Sequence, residues 1–305
     1  MRILVSGSTG FLGTALVEAL EGQGHPIARL VRPETSQKSA AGVRPESVSW
    51  DPVAGQFDAA SAEGAEALIH LAGASIASGR WNASRKSLLR TSRIEATRHL
   101  IGALAKLQRP PRVIVAASAI GYYGNRGDET LTEASPPGND FLAVACREWE
   151  AEAARGVEFG ARVVNLRFGI ILAAHGGALP RMAMPFKFGA GGRLGNGRQW
   201  MSWLTLKETV SIIQFALATS GLVGPVNTVA PNPVRNSEFT SVLAKTLHRP
   251  ALFPAPAFAL RLALGEMADA LLLVSQKVVP SKLADSGYKF SQPNLASALA
   301  EVFGE

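Results

Sequence analysis

Three glycines at the spacing Gly7-x-x-Gly10-x-x-Gly13 constrain this chain more than any other feature. They follow an apolar run, Ile3-Leu4-Val5, and precede Ala15-Leu16-Val17, whose apolar positions continue at helical spacing to Leu20. The context is strand, tight turn, helix. Gly7 allows the turn, Gly10 lets backbone N–H groups approach an anion, and Gly13 lets the helix pack closely on the strand. The first amides of such a helix have no internal acceptor, and they lie at the positive end of the helix dipole. A turn of this kind suits a dinucleotide pyrophosphate. Thr9, Phe11 and Leu12 belong with the glycines in the candidate cradle.

The rest of the chain alternates in the same manner. Strand-like runs at 2–6, 26–31, 68–72, 112–116, 162–168 and near 225–229 are separated by helix-like segments, among them 14–21 and a long one over 81–107. Such alternation predicts an α/β fold, a doubly wound parallel sheet with a smaller, mostly helical C-terminal lobe. With 305 residues, 47% of them hydrophobic, the chain can fill both cores. The expected division is a nucleotide domain over 1–165, with later interleaved segments around 198–230. A substrate lobe then comprises 166–197 and 231–305.

The formal net charge is +7, but no run of Lys or Arg stands out. Dispersed positive charge suits a small anionic ligand such as a dinucleotide better than nucleic acid. Cys146 is the single cysteine, which excludes an intramolecular disulfide framework and fits a reducing, cytoplasmic setting. A strand starting at residue 2 leaves no room for a signal peptide. The apolar stretch over 258–274 is broken by Arg261, Gly265, Glu266 and Asp269, so it reads as an amphipathic helix, not a membrane span. His25, His70, His99, His175 and His248 are scattered without metal-ligand spacing, and no metal is expected. The expected partner is a small-molecule substrate, with neither nucleic acid nor membrane; monomer and homodimer both stay open.

The glycine spacing resembles that of the short-chain dehydrogenase/reductase superfamily, particularly its extended branch with a Rossmann nucleotide domain. There the end of the second strand reads the adenosine ribose: an acid accepts from the 2′-OH of NAD, whereas Arg pairs with the 2′-phosphate of NADP. This chain has no acid from Ile27 to Pro33 and carries Val31-Arg32 at that place, which favours NADP. In the alternative, Arg32 is a solvated charge and Glu34 reads the hydroxyl.

Further motifs extend the resemblance over nearly the whole chain. They include His70-Leu71-Ala72-Gly73, Ser92-Arg93-Ile94 with Trp81 and Lys86, and Gly176-Gly177-Ala178. Gly195-x-Gly197-Arg198-Gln199-Trp200, Ser202-Trp203, Asn227-x-x-Ala230-Pro231 and His248-Arg249-Pro250 follow in order. Together they resemble the epimerase family of atypical extended short-chain dehydrogenases, which carry a C-terminal domain of unknown function. That resemblance implies NADP(H) bound by Arg32, by Leu71, Ala72 and Gly73 in the turn, and by Arg93 and Arg167. The two arginines are expected to donate to phosphate, ribose or amide oxygens, with packing or ion pairing as the alternative. The implied activity is that of an oxidoreductase or a nucleotide-sugar-type epimerase.

The superfamily's usual machinery is a Tyr acid/base, a Lys four residues on, and a Ser that polarises the substrate carbonyl. Ser118 matches the serine. Anchored on Trp149-Glu150, however, the Tyr-x-x-x-Lys-x-x-x-Glu pattern falls on Leu142, Cys146 and Glu150. Leu142 cannot transfer a proton, and Cys146 is not a cation and reads as a buried structural thiol. Tyr122 and Tyr123 remain as candidate proton donors, or else as packing residues. Arg193, Arg198, Gln199 and Trp200 are candidates for an anionic or sugar-like ligand, against a purely structural loop. Where the family often shows Trp-Ile-His-x-x-Asp, this chain reads Trp203-Leu204-Thr205-Leu206-Lys207-Glu208. Two functions are therefore open: an NADP(H)-dependent enzyme, or a non-catalytic NADP(H)-binding sensor or regulator.

Overall fold

The chain runs outward through three strands, crosses back, and builds the other half of its sheet in the opposite direction. The computed structural model describes residues 1–33 and 46–304. Its main sheet holds β1 Ile3–Ser6, β2 Ile27–Val31, β3 Ser47–Ser49, β4 Ala67–His70, β5 Val113–Ala119, β6 Arg162–Phe168 and β7 Gly224–Thr228. All pair in parallel, in the order β3-β2-β1-β4-β5-β6-β7. The direction of winding reverses between β1 and β4, so a crevice opens at their carboxyl ends. Ser6 and His70 face each other there in register, and Ser118 stands opposite Arg167 on β5 and β6.

Both faces of the sheet are covered, which is why β1 and β4 are buried at every position. On one face, helix Phe11–Gly22 lays Leu12, Leu16, Val17 and Leu20 against Ile3, Val5 and Ile69, beside helix Leu206–Ala218. Full burial of each such side chain contributes roughly 1.5–3 kcal/mol. On the other face, Leu100, Ile101 and Leu104 of helix Ile94–Leu104 pack on Leu4, Leu68 and Ile114.

After β6 the chain enters the second lobe, where helices Leu179–Lys187, Asn236–Thr246 and Leu295–Phe303 enclose Trp203, Phe239 and Leu243. A short parallel pair, Ile170–Leu172 with Trp203–Thr205, marks both the exit and the way back to helix Leu206–Ala218 and β7. The lobe is thus built from two separate stretches of chain.

Two helical segments differ from the periodic reading. The expected 81–107 helix is divided into Ala83–Thr91 and Ile94–Leu104. At the break, Ser92 Oγ accepts from the Ala74 amide at 3.2 Å and Arg93 Nη2 donates to the Ala74 carbonyl at 3.0 Å. These bonds fasten the helix to the loop after β4. The 258–274 segment likewise stops: helix Ala257–Leu264 ends at Gly265, whose φ of +63° turns the chain. Helix Ala257–Leu264 buries none of its residues.

Candidate functional site

The glycine turn forms a cradle with no room for side chains. Gly7 has φ +70°, and a Cβ on it would lie 2.9 Å from the Leu71 carbonyl carbon. A Cβ on Gly13 would fall 2.1 Å from the Gly7 oxygen, so only glycine lets the helix approach β1 this closely. Gly10 caps helix Phe11–Gly22 without any side-chain hydrogen bond, leaving the first amides for an outside acceptor. Thr9 is exposed, Leu12 turns into the core, and the Phe11 ring packs against Gly176 and Gly177. Uncapped amides above a side-chain-free turn fit a dinucleotide pyrophosphate.

At the end of β2, Val31 is half-buried and Arg32 is exposed. Arg32 is close enough to Asp51 to help hold that carboxyl below its usual range, after the Ala54 and Val53 amides, which do most of it. Glu34 lies outside the described residues.

The opposite wall of the crevice is organised by a histidine. Ser6 Oγ accepts from the Leu71 and Ala72 amides at 3.1 and 3.3 Å and lies 2.6 Å from His70 Nδ1. With both lone pairs of Ser6 in use, its hydrogen goes to Nδ1. His70 Nε2–H then faces Thr97 Oγ1 at 2.8 Å, which also accepts from Trp149 Nε1 at 3.0 Å. Burial lowers the His70 pKa to about 4, so the ring is neutral and this chain of bonds is fixed at neutral pH. The result positions Leu71, Ala72 and Gly73 along the crevice.

Arg93 closes this wall. Its Nη1 and Nη2 donate to the Leu89 and Ala74 carbonyls, and its guanidinium lies 5.2 Å from the Trp149 ring centre. A Cβ on Gly73 would stand 3.3 Å from the Arg93 Cζ, so the glycine gives the guanidinium its place beside the turn. Ile94, Ala117 and Trp149, with Leu71 and Phe168, form an apolar patch between this wall and Ser118.

The carboxyl ends of β5 and β6 meet on one carboxylate. Glu150, from helix Phe141–Ala154, accepts from Ser118 Oγ at 2.6 Å and from Arg167 Nε at 2.8 Å, both on Oε1. Its Oε2 accepts from Arg167 Nη2 at 2.8 Å. Ser118 thus gives its only hydrogen to Glu150, which leaves its lone pairs as acceptors. The third nitrogen of Arg167, Nη1, donates to Tyr123 Oη at 2.9 Å. Burial opposes the Arg167 charge, but the hydrogen bonds and attraction to Glu150 outweigh that and raise its pKa above the usual value.

The two tyrosines take different places. Tyr123 is fully buried, and its hydroxyl donates to Asn227 Oδ1 at 2.6 Å. Burial pushes its pKa up to about 12, against the smaller opposing effect of Arg167. In this position it links the turn after β5 to Arg167 of β6 and Asn227 of β7. The Tyr122 ring lies 3.4 Å over the Arg167 guanidinium, a cation–π contact that flanks the ion pair.

Leu142 and Cys146 stand beside Gly121 in the turn after β5, where a Cβ would meet the Leu142 Cβ at 3.4 Å and Cys146 Sγ at 3.9 Å. Cys146 is buried, and desolvation followed by the nearby Glu150 charge pushes its pKa up to about 12. Gln199 donates to the Leu194 and Leu272 carbonyls, while Trp200 stacks under Arg235 at 4.3 Å and donates to Asp128. Arg193 and Arg198 line two different cavities of the second lobe. Thr205 accepts from the Glu208 amide as a helix cap, and Glu208 in turn accepts from Ser291 and Gln292. Among the described residues no cluster of potential metal ligands occurs.

Sequence reasoning used Glu150 only as an alignment anchor and passed over Ser6, Thr97 and His70 as a unit. One signal was available for Glu150. It is a carboxylate one residue from Trp149, on a helix whose neighbouring positions pack inward.

Comparison with known proteins agrees over the same residues. The model of the NAD dependent epimerase/dehydratase family matches residues 3–228, and a domain of unknown function, DUF1731, matches 255–302. An epimerase family protein of Mycobacterium bovis is 39% identical over 297 residues, covering 97% of this chain and 96% of that one. The Bacillus subtilis epimerase family protein YfhF is 38% identical over 310 residues, covering 100% and 99%. The crystal structure of the human epimerase family protein SDR39U1 with NADPH superposes with a TM-score of 0.88 at 33% identity, covering 99% of each chain. The strand order, the glycine cradle and these matches show that the chain belongs to the NAD dependent epimerase/dehydratase family, as a short-chain dehydrogenase/reductase with a Rossmann fold.

Proposed function

We propose that the chain is an NADP(H)-dependent oxidoreductase or epimerase that acts on the alcohol or carbonyl of a small molecule, in a cytoplasmic setting. Gly7, Gly10 and Gly13 would hold the pyrophosphate, Arg32 the 2′-phosphate, and Leu71 to Gly73 with Arg93 the cofactor's flank. When bound, the nicotinamide supplies a hydride acceptor or donor. The observation that carries the reading is the Ser118–Glu150 hydrogen bond at the carboxyl edge of the sheet. Because Ser118 presents lone pairs, it accepts the proton of a substrate hydroxyl while its own hydrogen passes to Glu150 Oε1. The reverse path returns a proton to a carbonyl oxygen. Arg167 keeps Glu150 in place for both directions. The NADPH in the human relative supports the phosphate-bearing cofactor.

The test is a metabolite screen for NADPH oxidation or NADP⁺ reduction, followed by Ser118→Ala on any turnover found. The substitution is expected to lower kcat by about 10²-fold or more; unchanged turnover overturns the role of Ser118. Arg32→Ala is expected to weaken NADPH by about tenfold or more and to leave NADH unaffected. Tighter binding of NADH than NADPH by the unaltered chain overturns the cofactor choice. The sealed Tyr123 and the apolar Leu142 favour one alternative, a non-catalytic NADP(H) sensor. Tight NADPH binding, no turnover, and a conformation that differs between NADP⁺ and NADPH would mark it.

A further inference from the structure

A second cavity, of about 760 Å³, lies in the C-terminal lobe, on the outer side of helix Asn236–Thr246. No residue of the glycine cradle or of the Ser118–Glu150 centre lines it. Its volume falls within the range of small-molecule sites. Ser237, Thr240, Ser241, Ala244 and Lys245 reach it from one face of the helix, while Phe239 and Leu243 anchor the helix in the lobe core. Arg249 completes that side, and Arg193 faces it from the other wall. Three cations and three hydroxyls thus line the space, and among the described residues no carboxylate lines it.

About half of the described arginines elsewhere in the chain reach a carboxylate, as Arg167, Arg98, Arg126 and Arg261 do. Among the described residues, Arg193, Lys245 and Arg249 have none. Mutual repulsion of three charges around one space, with no carboxylate partner among the described residues, favours an anion between them.

The backbone holds both walls in place. The Arg249 amide bonds the Ala244 carbonyl at 2.9 Å and the His248 amide bonds that of Lys245 at 3.0 Å. This helix end puts His248 at φ +51°, a region where glycine is the usual residue. His248 is among the residues that line the cavity. The facing wall is a ribbon in which the Phe253 amide bonds Gly191 O and the Ala255 amide bonds Arg193 O. A Cβ on Gly192 would fall 2.1 Å from Phe253 O, so glycine is required for this wall to close up.

We propose that this cavity is a binding site for a small phosphorylated molecule, separate from the nucleotide cradle. Arg193, Lys245 and Arg249 neutralise the phosphate oxygens, Ser237, Thr240 and Ser241 donate to them, and Ala244, Ala251 and Leu252 face the less polar part of the ligand.

The experiment is a calorimetric titration of the full chain with inorganic pyrophosphate in saturating NADPH. One site is expected, with an affinity that falls steeply with added salt. Lys245→Ala/Arg249→Ala is expected to weaken it at least about tenfold, and Arg193→Ala, on the opposite wall, to do the same. NADPH affinity and Tm should stay as in the unaltered chain. Absence of pyrophosphate binding overturns the proposal, as does binding that none of these substitutions changes. The substitutions, not the presence of NADPH, assign the signal, so the result does not depend on the cofactor reading.

Discussion

Ser118 Oγ donates to Glu150 Oε1 at 2.6 Å, across a gap of 32 residues in sequence. The same oxygen accepts from Arg167 Nε, so one carboxylate joins β5, β6 and helix Phe141–Ala154. The arrangement sets both the protonation behaviour of the serine and the stability of this corner of the fold.

Glu150→Gln leaves the Arg167 guanidinium buried without its anion. Breaking a buried pair from one side is expected to cost about 3–5 kcal/mol. Ser118→Ala removes a single hydrogen bond to a carboxylate still held by Arg167, so about 1–2 kcal/mol is expected. Urea unfolding of the two variants would measure the contrast. Equal, small losses would show that the Glu150–Arg167 pair does not hold the fold.

His70 gives the protein a stability that depends on pH. Its pKa is about 4 in the folded protein, where burial disfavours the charged ring, against an ordinary value of about 6.5. The unfolded chain therefore takes up this proton first. The stabilisation is fully present above about pH 6.5 and is lost as pH falls toward 4, amounting to about 2 kcal/mol by pH 5. Comparison of urea unfolding at pH 7.5 and pH 5 in His70→Gln and the unaltered chain isolates this contribution. The variant should lose that part of the pH dependence; an unchanged slope would refute the assignment.

Gly13→Ala tests the close approach of helix Phe11–Gly22 to the turn. The new Cβ would lie 2.1 Å from the Gly7 oxygen, so helix or turn must move. A cost of about 1–3 kcal/mol is expected, read as a lower Tm, together with much weaker binding of NADPH by fluorescence titration. Unaltered affinity would mean that the turn does not carry the pyrophosphate.

Cys146 is expected to be inert while the protein is folded. Its thiol is buried, with a pKa of about 12, and the thiolate is the reactive form. Iodoacetamide at pH 8 should leave it unmodified in native buffer and alkylate it promptly in denaturant, as followed by mass spectrometry. Fast labelling of the folded chain would contradict its burial.

Local pattern was enough to identify much of this protein. The glycine spacing, with an apolar run before it and helical periodicity after it, defines the turn because only residues without Cβ fit there. The alternation of strand-like and helix-like segments defines the doubly wound sheet, since strands covered on both faces must be apolar throughout. The break at Ser92–Arg93 was not legible, because its cause is a pair of bonds to Ala74, which is 18 and 19 residues away.

The centre itself belongs to the tertiary structure. Sequence placed Ser118, Arg167 and Tyr123 near one edge, but their roles depend on which groups claim their hydrogens. Glu150 takes the Ser118 hydrogen and pairs with Arg167, while the Tyr123 hydroxyl donates to Asn227. Hydrogen bonds and burial among residues 17 to 104 positions apart decide this, and no local pattern encodes them. The residues that form a cradle were written in the sequence; what the neighbouring side chains do was decided by folding.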